Sequence, residues 1–83
     1  MDFRVYIALD IPILDEKYEL LVPIDRRIHD LIDTLRENIK GLKEDYYKER
    51  IPNIYNKSSG AIYDMNLIIK DSDIKTGTRL ILL

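Results

Sequence analysis

A chain of 83 residues and 9.8 kDa, 46% hydrophobic and 34% charged, is long enough for one globular domain and too short for two. With no cysteine and a single histidine, it excludes disulfide scaffolds, thiol chemistry, iron–sulfur centres and histidine-rich zinc sites. A net charge of −2 and a pI near 5.3 argue against a nucleic-acid partner, which needs a basic patch to neutralise phosphates.

Phe3, Val5, Ile7 and Leu9 alternate with Arg4, Tyr6, Ala8 and Asp10, the period of a strand with one buried face. Ile11 to Glu16, with Pro12 and Asp15, breaks that pattern. Alternation resumes at Tyr18, Leu20 and Val22, so the two runs form an antiparallel hairpin with a connection too long for a two-residue turn. Pro23 has no amide to donate and ends the second strand.

The spacing then predicts a helix from about 25 to 40. Ile28, Leu31, Ile32, Leu35 and Ile39 fall within an arc of about 100°, the apolar stripe of a surface helix. Asp25 is its expected cap, and Lys40 and Gly41 its expected C-terminal end. Residues 42 to 52 are charged apart from Leu42, two tyrosines and Ile51-Pro52, and read either as a short helical turn or as a surface crossing.

Asn53 to Lys57 and Ala61 to Asp64 flank Ser58-Ser59-Gly60 as a short hairpin. Asp71 to Ile74 reads as one helical turn with its aspartates capping it. Lys75-Thr76-Gly77-Thr78 reads as a tight turn, and Arg79 to Leu83 as a final strand. No apolar run, Leu80 to Leu83 included, approaches the ~20 residues of a membrane span, so direct membrane insertion is not expected. Met1-Asp2-Phe3-Arg4 lacks the basic start of a secretory signal, and a cytoplasmic location follows as the expectation.

Only the helix is large enough to cover the apolar face of the sheet, and the final apolar strand belongs at the centre, beside the first. The expected fold is therefore α+β: a β-grasp, with a mixed sheet and one amphipathic helix across it, spanning residues 1–83 as a single domain.

No catalytic, metal or cofactor site emerges. His29 stands at the edge of the apolar stripe with no serine or cysteine near it in sequence, and reads as structural. Asp71 and Asp73 lack the remaining ligands of a calcium loop, whose twelfth position here is Leu82. Lys57-Ser58-Ser59-Gly60 holds phosphate-loop residue types in the wrong order, and the acidic pairs Asp15-Glu16 and Glu44-Asp45 read as solvated surface.

The outer sheet face is the candidate contact surface. If Val5, Ile7, Leu20, Val22, Leu80 and Leu82 point to the helix, then Tyr6, Leu21, Tyr55 and Ile81 point outward. They would form one apolar patch rimmed by Arg4, Lys17, Glu19 and Arg79. Ile11, Ile13 and Leu14, in the first connection, either compete for that role or fold over the end of the core.

Tyr18-Glu19-Leu20-Leu21-Val22-Pro23 followed by Ile28, Leu31, Ile32 and Leu35 resembles the second strand and helix of ubiquitin-fold proteins. Ile74-Lys75-Thr76-Gly77-Thr78-Arg79-Leu80-Ile81-Leu82 resembles their closing signature. The combination is most similar to the YukD-like (EsaB-like) bacterial branch, over nearly the whole chain apart from residues 42 to 52. That resemblance implies a non-enzymatic cytoplasmic accessory of type VII secretion, without cofactor, binding a membrane-anchored secretion subunit or another cytosolic protein. The last glycine, Gly77, stands in a turn rather than in a Gly-Gly tail, so C-terminal conjugation is not expected. The rival readings are a modifier or sulfur carrier activated at its C-terminus, and a homo-oligomer formed through a sheet edge.

Overall fold

The computed structural model describes residues 3–39, 42 and 51–83. The first strand, β1 (Arg4–Ile11), and the second, β2 (Glu16–Pro23), pair antiparallel along their full lengths. A 3₁₀ turn at Pro12–Leu14 joins them and ends on Asp15, whose φ of 52° is left-handed backbone that an aspartate tolerates better than most residues. One helix, α1 (Ile28–Asn38), follows, then β3 (Ile54–Asn56), a second 3₁₀ turn (Ile69–Asp71) and β4 (Arg79–Leu82).

The sheet order is β2-β1-β4-β3. β4 runs parallel to β1 with Leu9 beside Leu80, and antiparallel to β3 with Tyr55 beside Ile81. The two terminal segments therefore make the middle of the sheet, as a β-grasp requires. Val22, Ile28, Ile32, Leu35, Leu80 and Leu82 are buried in one core with Ile7, Leu9, Ile11, Ile54 and Ile69. Val5 and Leu20 pack against that core half-buried. Ile11 is a core residue, and Ile13 and Leu14 pack against it, so the first connection folds over the end of the core.

The helix begins at the first residue of its apolar stripe, later than the expected start at about 25, and Asp25 is not its cap. Arg27 occupies that position in extended backbone, and Asp30, in the first turn, accepts a hydrogen bond from the Arg27 amide at 3.2 Å. The cause is a tertiary ladder. Ile28 and His29 donate to the carbonyls of Leu67 and Met65, while Ile69 and Lys70 donate to the carbonyls of Arg26 and Ile24, all within 2.8–3.0 Å. Amides that open a helix without partners are thereby satisfied, and Arg27 is held in extended backbone after a turn at residues 24–26. The predicted helix end at Lys40 and Gly41, and most of the segment from 42 to 52, lie outside the described residues.

The hairpin around Ser58-Ser59-Gly60 forms, with Asn56 and Ala61 bonded at 2.8 Å, Gly60 at φ 76°, and Tyr55 bridged to Ile62. The second 3₁₀ turn lies two residues before its expected place, and its aspartates do not cap it. Ser72 does that work: its hydroxyl donates to the Ile69 carbonyl at 2.6 Å and accepts from the Ile74 amide at 3.0 Å. Asp73 instead accepts from the Tyr63 hydroxyl.

Candidate functional site

Residues opposite one another in a ladder share a face, so the registers give a map of the outer sheet surface. Tyr6 and Leu21 stand together at one end, 54% and 43% exposed. Tyr55 and Ile81 stand together, half-buried, towards the other. The bridge from Tyr55 to Ile62 and the hydrogen-bonded pair Asn53–Leu83 add Ile62 and Leu83 to this second cluster, and both are exposed. Neither was singled out from the sequence. The predicted hairpin and the step of two from Ile81 to Leu83 were the signals that could have found them.

The four expected residues do not form one continuous apolar patch. Between the two clusters runs a row of three charged residues around one alanine, Glu19, Ala8, Arg79 and Lys57, set by the registers of Ala8 with Glu19 and Arg79 and by the bond from the Lys57 amide to the Arg79 carbonyl. Asp10 sits in the next row beside Ile81 and Lys17 and pairs with the Lys57 ammonium. The hydrogen bond from Lys57 is the main cause holding the Asp10 carboxyl below its usual range. Lys17 and Arg79 reinforce it, and partial burial works the other way. The clusters are four residues apart along the strands and two strand spacings apart across the sheet, so they are centred roughly 16 Å apart with an ionic belt between them. Arg79 and Glu19 divide the surface rather than rim it.

Beneath the second cluster, a polar chain braces the hairpin. The Tyr63 hydroxyl donates to Asp73 Oδ1 at 2.6 Å and accepts from Asn56 Nδ2 at 3.1 Å. Asn56 Oδ1 in turn accepts from the Ser58 and Ser59 amides. Burial, followed by the Asp73 hydrogen bond, pushes the Tyr63 phenol above its usual value.

The other side of β2 borders an open groove of about 440 Å³ against α1, lined by Leu20, Val22, Leu31, Leu35, Arg26 and Asp30 among others. On α1 itself, His29 Nδ1 lies 3.3 Å from Asp30 Oδ1 and 3.8 Å from Asp33 Oδ2. These donors could approach one cation. However, the positive end of the helix disfavours a cation there, and Asp30 already accepts from the Arg27 amide. No helix among the described residues is long and apolar enough to cross a membrane.

No protein-family description and no curated protein matches the sequence. The fold does match solved structures. One is a chain from work on molecular mimicry of SUMO in DNA repair: TM-score 0.73, 16% identity, covering 100% of this chain and 94% of that one. A second is the ubiquitin-like domain of Plasmodium falciparum Dsk2: TM-score 0.65, 11% identity, covering 96% and 99%. A third is a chain of toluene 4-monooxygenase with a bound inhibitor: TM-score 0.75, 6% identity, covering 95% of each. The chain has a ubiquitin-like β-grasp fold. Identities this low establish the fold alone, and the third neighbour, from an oxygenase, shows that β-grasp chains also occur within enzymes.

Proposed function

We propose that this protein is a non-enzymatic interaction module that binds a protein partner through the outer sheet face. The exposed ladder pair Tyr6–Leu21 carries the reading. It places an aromatic and an aliphatic side chain side by side on a sheet face whose neighbouring row is charged, and buried aromatic anchors are the residues that dominate binding energy at interfaces. The Tyr55–Ile81 cluster supplies a second anchor, and the belt of Glu19, Arg79, Lys57 and Asp10 supplies charge that orients a partner. Such a partner presents two apolar anchors roughly 16 Å apart, flanking polar groups. The resemblance of the Val-Pro strand end, helix and closing strand to the YukD-like branch supports a cytoplasmic accessory of a bacterial type VII secretion system. Its partner would then be the cytosolic part of a membrane-anchored secretion subunit, held without a covalent bond or a cofactor.

Calorimetric titration of that cytosolic part, taken from the same genome, tests the proposal. Tyr6→Asp and Ile81→Asp should each weaken binding at least about tenfold with unchanged circular dichroism. A wild-type chain that does not bind refutes the secretion assignment. Binding indifferent to both substitutions refutes the outer face.

A further inference from the structure

We infer that β2 is a self-association edge, pairing antiparallel with β2 of a second copy about a two-fold axis through Tyr18. β2 is the outermost strand of the sheet, eight residues long, with β1 on one side only. The ladder's phase shows which backbone groups face away from β1. The Ile24 amide donates to the Phe3 carbonyl at 2.9 Å, so the hydrogen-bonded pairs on β2 continue at Val22, Leu20 and Tyr18. The amides and carbonyls of Lys17, Glu19 and Leu21 therefore point outward from the sheet. Among the described residues no strand or loop meets them. Unpaired edges of this length are templates for another strand.

Charge selects the occupant and the register. Pairing about Tyr18 sets Lys17 opposite Glu19 of the second copy, and Glu19 opposite its Lys17. Both are hydrogen-bonded positions, and both carry opposite charges on the same outer face. Pairing about Glu19 would oppose two carboxylates. Pairing about Leu20 would set Lys17 against Pro23, which has no amide to give, and Glu19 against Leu21. Only the Tyr18 register is complementary in both charge and backbone bonding, and it is self-complementary, as a two-fold interface must be. It also brings the two open β2–α1 grooves side by side on the helix side of one continuous eight-stranded sheet. The assembly needs no other protein, so its failure leaves the outer-face reading standing, and the converse also holds.

Sedimentation velocity and light scattering of the full chain from about 10 µM to about 1 mM, at low salt, provide the test. The mass should rise from 9.8 kDa towards twice that value, and added NaCl should reverse the rise. Lys17→Glu alone and Glu19→Lys alone should each weaken dimerisation at least about tenfold, because each creates two like-charge pairs. Mixing the two variants should restore a dimer, since every pair is then opposite in charge. The double exchange Lys17→Glu/Glu19→Lys should restore a homodimer. Both side chains are exposed, and circular dichroism checks that the fold is kept. A wild-type chain that stays monomeric throughout the range overturns the proposal, including the case in which β2 captures only an unrelated extended peptide. So does a dimer that neither single substitution weakens.

Discussion

Lys57, just past β3, reaches over the intervening strand β4 to pair its ammonium with the carboxylate of Asp10 on β1. The contact links two strands that share no ladder, and with Arg79 and Glu19 it forms the belt that divides the outer face. Its acid dependence follows from the lowered Asp10 pKa. An unpaired aspartate titrates near 3.8, and the folded value lies below that. The stability contributed by the ionised carboxylate is therefore complete above about pH 4 and is lost as the pH falls through the lower folded value. Urea midpoints measured from about pH 2 to about pH 7 should fall less steeply in acid for Asp10→Asn than for the wild type. Superimposable acid limbs would remove the pair from the account of stability.

Tyr63 offers a test at the opposite end of the pH scale. Tyr63→Phe keeps the ring in the core but leaves Asp73 and the Asn56 side-chain amide without their shared partner. A loss of about 1–2 kcal/mol is expected, equivalent to a melting temperature several degrees lower. Because the folded phenol titrates above its usual 10.0, the protonated form is the stabilising one. That contribution persists below about pH 10 and disappears as the pH rises through the raised value. The Phe variant should lack this alkaline step, and an identical alkaline profile in both proteins would contradict the hydrogen-bonded geometry.

Gly77 has φ 96° in the turn before β4, and its amide donates to the Tyr6 carbonyl at 2.8 Å. A Cβ added there meets nothing within 4 Å, so the cost of Gly77→Ala is conformational rather than steric crowding by neighbours. About 1–2 kcal/mol is expected from the left-handed backbone alone. Gly77→Asn should cost less, because asparagine tolerates that region better. Chemical denaturation of both variants would show the order, and an alanine variant as stable as wild type would mean that the turn relaxes.

The strands β1, β2 and β4, their inward faces and the helix stripe were legible because each is a local period: two for the strands, and nearly four for Ile28, Leu31, Ile32, Leu35 and Ile39. What escaped was decided by residues far apart in sequence. The helix start depends on Leu67 and Met65 carbonyls some forty positions downstream, which no cap at Asp25 could reveal. The Asn56–Tyr63–Asp73 chain is likewise invisible until the hairpin folds against the second 3₁₀ turn. At the candidate face, alternation correctly named Tyr6, Leu21, Tyr55 and Ile81 as outward. It could not supply the parallel register that sets Arg79 beside Ala8, and that register divides one expected patch into two.

The same parallel register makes the sharpest test of the fold. Leu80 lies beside Leu9 in the central ladder, and both are 0% exposed, whereas the next residue along, Ile81, faces outward and is half-buried. Leu80→Ala removes buried methyl and methylene groups from a core site beside Leu9, and should cost about 2–5 kcal/mol. A small domain has only about 5–10 kcal/mol in total, so this variant should be partly unfolded near 37 °C. Ile81→Ala deletes side-chain carbons of comparable size from the opposite face and should cost about 1 kcal/mol or less. The contrast between adjacent positions depends on which face each occupies, not on hydrophobicity. Equal destabilisation by the two substitutions would mean that β4 does not lie between β1 and β3 with Leu80 turned inward, and the outward placement of Ile81 would fall with it.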